Sequence, residues 1–310
     1  MGETMEYGRI LKESWITIWK HKVIIWVGFL MVIPSLIMAF AMGGFFFFFD
    51  DIFPFAFEPY APAPDINPFV IVLIVVFFFG FMIFSYAMLA LSFAGVVKGT
   101  FDLESKDDSI SFGELWAATL PYVWRIFGVF FLVFFVIFLF FGIIMFIGAM
   151  VGALTAGIGF LCLMPLFLLI LPLELLAYLF ASLAMVAIVV DDLGVFESLG
   201  RAWYMMKQKF WPLVLMAIIL VFIQWAMSMI VVLPMQVVQF FIMFSMDITS
   251  YAPDPSSFFQ PFSILMALFI PISSLIQGLG FTYANAAWTL TYLRLTHTQD
   301  EEQPVALPAG

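Results

Sequence analysis

Residues 194–215, GVFESLGRAWYMMKQKFWPLVL, decide how the rest of the chain is interpreted. This polar stretch carries Glu197, Arg201, Lys207 and Lys209, and it separates two long apolar runs. The whole chain has 310 residues, of which 65% are hydrophobic and only 10% are charged. Soluble domains are about 25% charged. The composition therefore predicts an integral membrane protein, and residues 194–215 are expected to lead into a membrane-spanning helix.

Six apolar runs are long enough to cross a bilayer as helices, which requires about 20 residues each. They are much longer than the roughly 10-residue alternating strands of a membrane barrel. The sequence therefore predicts an all-α, polytopic transmembrane helical bundle of about six spans. A break at Pro234 would instead divide the fifth run into a span and a re-entrant segment. The six runs cover residues 23–49, 68–97, 123–154, 158–190, 211–246 and 261–293.

The basic residues predict the orientation of this bundle. With six spans, all 11 lysines and arginines fall on the same side as the N-terminus. The segments on the other side, 50–67, 155–157 and 247–260, contain none. Because basic residues close to membrane spans stay in the cytoplasm, both termini are expected there, in the cell membrane. Residues 296–310 are polar and are predicted to form a disordered cytoplasmic tail.

The stretch after residue 194 is predicted to form an amphipathic helix in the inner membrane interface. Glu197 and Arg201 are spaced as a favourable i,i+4 pair. Asp191 and Asp192 precede the helix, where carboxylates cap the first N–H groups and favour the helix dipole. Steps of three and four residues define its apolar face, and the predicted members are Val195, Leu199, Trp203, Met206 and Phe210.

Similar stretches occur twice more, which predicts an internal repeat. Each begins with an aromatic residue, has a cation thirteen positions later and continues into an apolar run. A single membrane domain, 1–295, would then contain three units, 7–97, 110–190 and 194–293, each with one interfacial helix and two spans. The aromatic and basic pairs are Tyr7 and Lys20, Phe112 and Arg125, and Phe196 and Lys209.

Residues 187–215 resemble the membrane domain attached to some glycerophosphodiester phosphodiesterases and its stand-alone, uncharacterised prokaryotic relatives. The resemblance implies a six-span helical fold, but no hydrolase activity. That activity belongs to a separate soluble domain with a His-Arg-Gly motif, and neither His21 nor His297 lies in one. The residues that match are Asp191, Asp192, Gly194, Val195, Glu197, Ser198, Leu199, Ala202, Trp203, Lys207, Phe210 and Trp211.

No sequence motif of an enzyme is found in the chain. It has no glycine-rich phosphate loop with a lysine, no His-Glu-x-x-His and no Gly-x-Ser-x-Gly. Its single cysteine, Cys162, lies in an apolar run. We therefore expect no catalytic residue, no metal, no cofactor and no nucleic-acid partner.

Glu174 is the one ionisable residue deep inside a predicted span. Carboxyl groups are costly in a bilayer and often serve a substrate or a proton there. A protonated or hydrogen-bonded structural role remains an equal alternative. Gln224 and Gln277 are the candidate members of a polar intramembrane site with it.

Six cations near the predicted span ends are candidates for binding anionic lipid headgroups. Acidic residues are interleaved with them, so the alternative is that they are ordinary signals of topology. The six are Lys20, Lys22, Arg125, Arg201, Lys207 and Lys209.

Two hypotheses for the function follow. The first is a non-enzymatic integral membrane protein with an organising or accessory role for lipid or for a partner protein, with homo-oligomers as a further option. The second is a transporter of a small solute or lipid with an intramembrane site around Glu174. A polar cavity that reaches Glu174 would favour transport, whereas a tightly packed bundle would favour the accessory role.

Overall fold

The structure, a computed structural model, describes residues 6–47, 68–106, 111–155, 170–245 and 256–302. Within these ranges it has ten α-helices, two short 3₁₀ turns and no strand, which confirms the predicted all-α class. The helices are α1 (Tyr7–Lys20), α2 (Lys22–Gly28), α3 (Val32–Phe47), α4 (Pro68–Lys106), α5 (Phe112–Thr119), α6 (Val123–Leu154), α7 (Ile170–Val190), α8 (Val195–Gln208), α9 (Phe210–Ser245) and α10 (Ser256–Glu302).

Six helical segments are long and apolar enough to span a membrane, as the six apolar runs predict. The first combines α2 with α3 across a 3₁₀ turn, and the third combines α5 with α6 in the same way. The six segments are Lys22–Gly44, Pro68–Ser105, Phe112–Leu154, Ile170–Val190, Phe210–Phe241 and Ala267–Thr296.

Two helices are more continuous than the sequence suggests. Helix α9 passes Pro234 without a break, which contradicts the alternative of a re-entrant segment. Helix α10 continues to Glu302, so residues 296–302 are helical where a disordered tail is predicted. Residues 303–310 of that tail lie outside the described residues.

The core of the bundle is built around α7 and α10. Residues 182–189 of α7 and 282–293 of α10 are all buried, and residues 90–97 of α4 pack beside them. Many of these positions are alanine, serine or threonine. Such small residues let helix backbones approach closely, which is how membrane helices gain packing contacts.

Three glycines mark the closest approaches between helices. A Cβ atom on Gly28 would lie 1.8 Å from the Oγ1 atom of Thr282, and one on Gly95 would lie 2.0 Å from a methyl of Val27. Gly278 on α10 is similarly crowded. At these positions the backbone of one helix lies against a side chain of its neighbour, so larger residues could not be accommodated without movement.

The first third of α4 is exposed, in contrast to the buried residues 90–97 of the same helix. Residues 69–79 are aliphatic or aromatic and all are exposed. A soluble protein rarely exposes so large an apolar patch. This surface is typical of one that faces lipid, and it contrasts with the buried half of the same helix.

Candidate functional site

A cavity of about 390 Å³ lies between α4, α6, α7, α9 and α10. Its volume is within the range of about 300–1,000 Å³ that is typical of small-molecule sites. Glu174 and Gln224, two of the three residues predicted to form an intramembrane site, both line it. The bundle is therefore not tightly packed around Glu174.

One wall of the cavity carries a row of polar side chains. Glu174, Tyr178 and Ser182 follow one another at i, i+4 and i+8 on α7, so they lie on the same face of the helix. Their backbones span about 12 Å along the helix axis. Gln224 of α9 and Asn285 of α10 also line the cavity. The polar groups thus come from three helices.

The other wall, formed by α4 and α6, is apolar and rich in aromatic rings. Phe93 of α4 and Phe127, Phe130 and Phe134 of α6 line the cavity. Tyr86 is the polar exception on this wall, and its ring centroid lies 5.8 Å from that of Phe130. The cavity therefore has a polar side and an aromatic side.

Contacts from α10 fix the polar wall in place. The buried indole of Trp288 donates a hydrogen bond from Nε1 to the Tyr178 hydroxyl oxygen at 3.1 Å, and the two rings meet edge to face. Asn285 Nδ2 donates to the carbonyl oxygen of Phe281 at 2.9 Å. Tyr178 and Asn285 lie on α7 and α10, the two helices that form the core, so the polar wall is preorganised.

Glu174 and Gln224 have no such partners. Within the described part of the chain, neither side chain makes a hydrogen bond or an ion pair. Among the described residues that line the cavity there is no lysine, arginine or histidine, and Glu174 is the one carboxylic acid. These two polar groups are therefore available to a ligand.

The third predicted member is not part of this cavity. Gln277 is exposed on α10 and does not line it. Sequence reasoning also missed Tyr178 and Ser182, although steps of four residues from Glu174 would have identified them. Asn285 could not be found in this way, because it reaches the cavity from a different helix.

A second polar region joins the ends of several helices. We call it the polar end, and it is formed by Arg125, Asp191, Asp192, Arg201 and Tyr292. Arg125 Nη1 donates to Asp192 Oδ1 at 2.6 Å, linking α6 to the turn after α7. The Tyr292 hydroxyl of α10 donates to Asp191, whose Oδ2 lies 3.8 Å from Arg201 Nε. Asp192 has a positive φ of 52°, which is unusual for a residue with a side chain.

The N-terminal helix joins the polar end as well. Arg294 of α10 pairs with Glu13 of α1. The Tyr7 hydroxyl donates to the carbonyl oxygen of Pro212 at 3.3 Å. Burial raises the pKa of the Tyr7 phenol. These contacts connect α1 to the last two long helices.

The N-terminus of α8 differs from its predicted arrangement. Its N-cap is Gly194, whose N–H donates to Glu197 Oε2 at 3.0 Å, whereas Asp191 and Asp192 bind other helices. Glu197 therefore caps the helix, and Arg201 Nε lies 3.8 Å from Asp191 Oδ2. The predicted caps were wrong because distant partners compete for the two aspartates.

The buried side of α8 coincides only in part with the predicted apolar face. Trp203 is 54% exposed, whereas Ser198 and Ala202 are fully buried. Small side chains allow α8 to pack closely on α7 and leave the bulky rings outside. The fully buried residues of α8 are Ser198, Ala202, Met205 and Met206. Of the predicted apolar face, Met206 is among them, and Val195 and Leu199 are half-buried and pack against the core.

The six candidate headgroup-binding cations fall into two groups. Arg125 and Arg201 form ion pairs at the polar end. Among the described residues the four lysines form none; Lys20, Lys22 and Lys207 are exposed and Lys209 is half-buried. Lys207 Nζ lies 5.2 Å from the ring centroid of Trp203. The lysines therefore remain candidates for headgroups, while the two arginines hold helices together.

In the part of the chain that the structure describes, no group of three or more His, Cys, Asp or Glu residues is placed to hold a metal ion.

No curated protein and no solved structure shows a match to this chain. Nothing in the comparisons connects it with phosphodiesterase membrane domains. The family described as a domain of unknown function (DUF7847) matches residues 113–292. Because this match covers more than half of the sequence, the chain belongs to the DUF7847 family.

Proposed function

We propose that this protein is a non-enzymatic integral membrane protein that binds a lipophilic small molecule or a lipid inside the bilayer. The observation that carries the proposal is the cavity beside Glu174, with its polar row on α7 and its aromatic wall on α4 and α6. Of the two hypotheses from the sequence, this favours a transporter or carrier with a site around Glu174.

The chemistry of the walls suits a mostly apolar ligand. Inside a bilayer the lipid tails are as apolar as this wall, so the aromatic rings would contribute affinity through close van der Waals packing rather than by removing apolar surface from water. A few polar groups then fix the orientation of the ligand, as is usual in small-molecule sites. A strongly polar solute would gain little from Phe127, Phe130 and Phe134.

Filling the cavity tests the proposal. We expect the wild-type protein, purified in a non-ionic detergent, to retain a bound lipophilic molecule that native mass spectrometry detects. Ala181 lines the cavity, so Ala181→Trp should displace the molecule. Gly80→Trp is the matched control, because Gly80 lies on the exposed part of α4 with open space around it. Equal retention by both variants would contradict the proposal.

The organising or accessory role differs from transport in what happens to the ligand after binding. A lipid that stays bound would support the accessory role, whereas a transporter must release it on the other side. Reconstitution into proteoliposomes with a labelled lipid separates the two. Accelerated movement between leaflets that Ala181→Trp abolishes would favour transport, and tight binding without movement would favour the accessory role.

We further infer that both termini are cytoplasmic and that α1, α5 and α8 lie in the inner interface. Exposed tryptophans on α1 and α8, including Trp15, Trp19 and Trp203, support this because indole rings favour the headgroup region. In a Cys162→Ser background, Lys207→Cys should react with an impermeant maleimide only from the cytoplasmic side. A cysteine in segment 50–67, outside the described residues, should react only from the other side.

The three-unit repeat also remains a proposal, and the shapes of the first and third units support it. Helices α1 and α8 have 14 residues each, and a one-residue break follows each, at His21 and Lys209. When α1 and α8 are aligned from their first residues, Lys20 corresponds to Gln208. The sequence pattern instead pairs Lys20 with Lys209, one position later. Superposition of an experimental structure on itself, unit on unit, would test the repeat.

We retain the resemblance of residues 187–215 to the phosphodiesterase-linked membrane domains as a proposal of common ancestry, with a prokaryotic source. Its support is the shared pattern of Asp191, Asp192, Glu197 and Trp203. An experimental structure of such a membrane domain provides the test. A different helix order or a different partner for the acidic pair would reject common ancestry.

A further inference from the structure

We propose that the ligand of the cavity carries a positive charge, and that it is a lipophilic amine whose ammonium group pairs with Glu174. This inference rests on the proposed function, since it names the chemical class of the molecule bound in the same cavity. It follows from the charge, the hydrogen-bonding groups and the aromatic rings of the cavity wall.

The first argument is the charge of Glu174. Its carboxyl has no partner among the described residues, and no basic side chain lines the cavity. Glu174 is exposed on the protein surface as well as lining the cavity, and inside a bilayer an unpaired carboxylate that faces hydrocarbon is unfavourable. A cation placed beside it offsets much of that cost. A cationic ligand would supply the charge that the protein itself does not.

The second argument is the set of hydrogen-bond acceptors close to Glu174 in the lining. The Gln224 amide oxygen and the two carboxyl oxygens of Glu174 line the cavity, whereas the Tyr178 oxygen already accepts from Trp288. An ammonium group has three N–H donors and no acceptor, so oxygen atoms are the partners it requires. These three oxygens match the number of donors of an ammonium group.

The third argument is the aromatic wall. The rings of Phe93, Phe127, Phe130 and Phe134 line the cavity, together with that of Tyr86. The face of an aromatic ring attracts a cation, most strongly where water is excluded. The same rings accept the hydrocarbon body of an amphiphile. Both parts of a lipophilic amine are therefore matched by one wall.

Other classes of amphiphile fit less well. A carboxylate or phosphate headgroup would meet the Glu174 carboxyl without any basic residue in the lining to compensate. A neutral alcohol would fill the cavity but would leave the carboxylate without a counter-charge. The cavity should therefore discriminate between headgroups that share the same hydrocarbon chain.

The experiment compares three probes of equal chain length: dodecylamine, dodecanol and dodecanoate. Their dissociation constants are measured with the full-length protein in a non-ionic detergent at neutral pH. We expect dodecylamine to bind at least tenfold more tightly than dodecanol, and dodecanoate to bind most weakly. Equal affinities, or tighter binding of dodecanoate, would overturn the inference. Because this series uses the wild-type protein, it does not depend on the folding of a variant.

Substitutions then test whether Glu174 is responsible for the preference for dodecylamine over dodecanol. Glu174→Gln should reduce the affinity for dodecylamine about tenfold and change that for dodecanol less than twofold, whereas Glu174→Asp should keep the preference. Glu104→Gln is the matched control, since Glu104 is exposed at the end of α4, away from the cavity. An undiminished preference in Glu174→Gln would overturn the inference. Binding of dodecanol that Ala181→Trp abolishes would still support the cavity, whereas failure of all three probes to bind would overturn the proposed function too.

Discussion

At the scale of single residues, Asp192 shows how a polar contact and an unusual backbone conformation are combined. Its φ of 52° places it in the left-handed region, and its carboxylate accepts a hydrogen bond from Arg125. The left-handed conformation costs about 1–2 kcal/mol for most residues, although aspartate tolerates it better. The ion pair is exposed, with 40% and 71% of the two side chains accessible, so it contributes about 0–1 kcal/mol.

Substitutions at Asp192 separate these two effects. Asp192→Ala loses the ion pair and keeps the strained backbone, whereas Asp192→Gly loses the ion pair and removes the strain. We expect the alanine variant to be less stable than the glycine variant by about 1 kcal/mol. Thermal unfolding in detergent measures the difference, with Arg125→Gln as the control for loss of the ion pair. Equal midpoints for the two Asp192 variants would be inconsistent with strain at this position.

The close contact between the Gly28 backbone and Thr282 of α10 leads to a second prediction at the residue scale. Ser92 Oγ also donates to the Gly28 carbonyl oxygen at 2.7 Å, so the contact cannot easily open. Gly28→Ala should destabilise the protein by about 1–3 kcal/mol through overpacking. Gly80→Ala adds the same methyl group where nothing lies within 4 Å, and it should not lower the unfolding temperature. Similar losses in both variants would contradict the close approach.

At the scale of elements, α8 shows what decides which face of an amphipathic helix is buried. Its polar and apolar residues predict amphipathicity, but they do not predict the rotation of the helix about its axis. Packing against α7 selects the small residues Ser198 and Ala202 for the interface. The bulky Trp203 and Phe196 remain exposed, where lipid can cover them.

Two substitutions on α8 should therefore have opposite effects. Ala202→Leu adds three carbons to a fully buried position and should destabilise the protein by about 1–3 kcal/mol. Gly200→Ala adds a methyl group to an exposed position of the same helix with open space, and should stabilise it by up to about 1 kcal/mol. Thermal unfolding compares the two. A destabilised Gly200→Ala together with a tolerated Ala202→Leu would show that the helix has the other rotation.

At the scale of the whole molecule, α10 connects the beginning of the chain to its end. It packs against α1, α2 and α3, and the Tyr283 hydroxyl donates to the Leu11 carbonyl oxygen at 3.3 Å. The family match, residues 113–292, excludes all three of these helices and α4. The matched region therefore depends on packing with residues outside it.

A fragment comprising residues 113–292 should not form a stable bundle by itself. Without α1–α4 the buried face of α10 around Gly278, Thr282 and Tyr283 would lose its neighbours, and the cavity would lose Tyr86 and Phe93. We expect the fragment to aggregate or to be cleaved rapidly by protease in detergent, compared with the full chain. Co-expression of residues 1–112 should restore a protease-resistant complex. A monodisperse, resistant fragment would contradict this dependence.

The sequence by itself determines that this chain is an all-helical protein with six apolar helices. Runs of about 20 or more apolar residues leave the backbone no other way to satisfy its hydrogen bonds in a bilayer. It also identifies Glu174, because a carboxyl inside an apolar run is rare enough to be noticed. These features depend on local composition and periodicity, which can be read without knowing which helices are neighbours.

Only the tertiary structure decides what surrounds those features. It brings Gln224 to the cavity and leaves Gln277 outside, although both are glutamines in apolar helices. It also gives Asp191 and Asp192 partners on distant helices in place of the helix that follows them. The physical reason is that helix rotation and neighbour choice depend on close packing between side chains far apart in sequence, and the local pattern of polar and apolar residues does not encode these contacts.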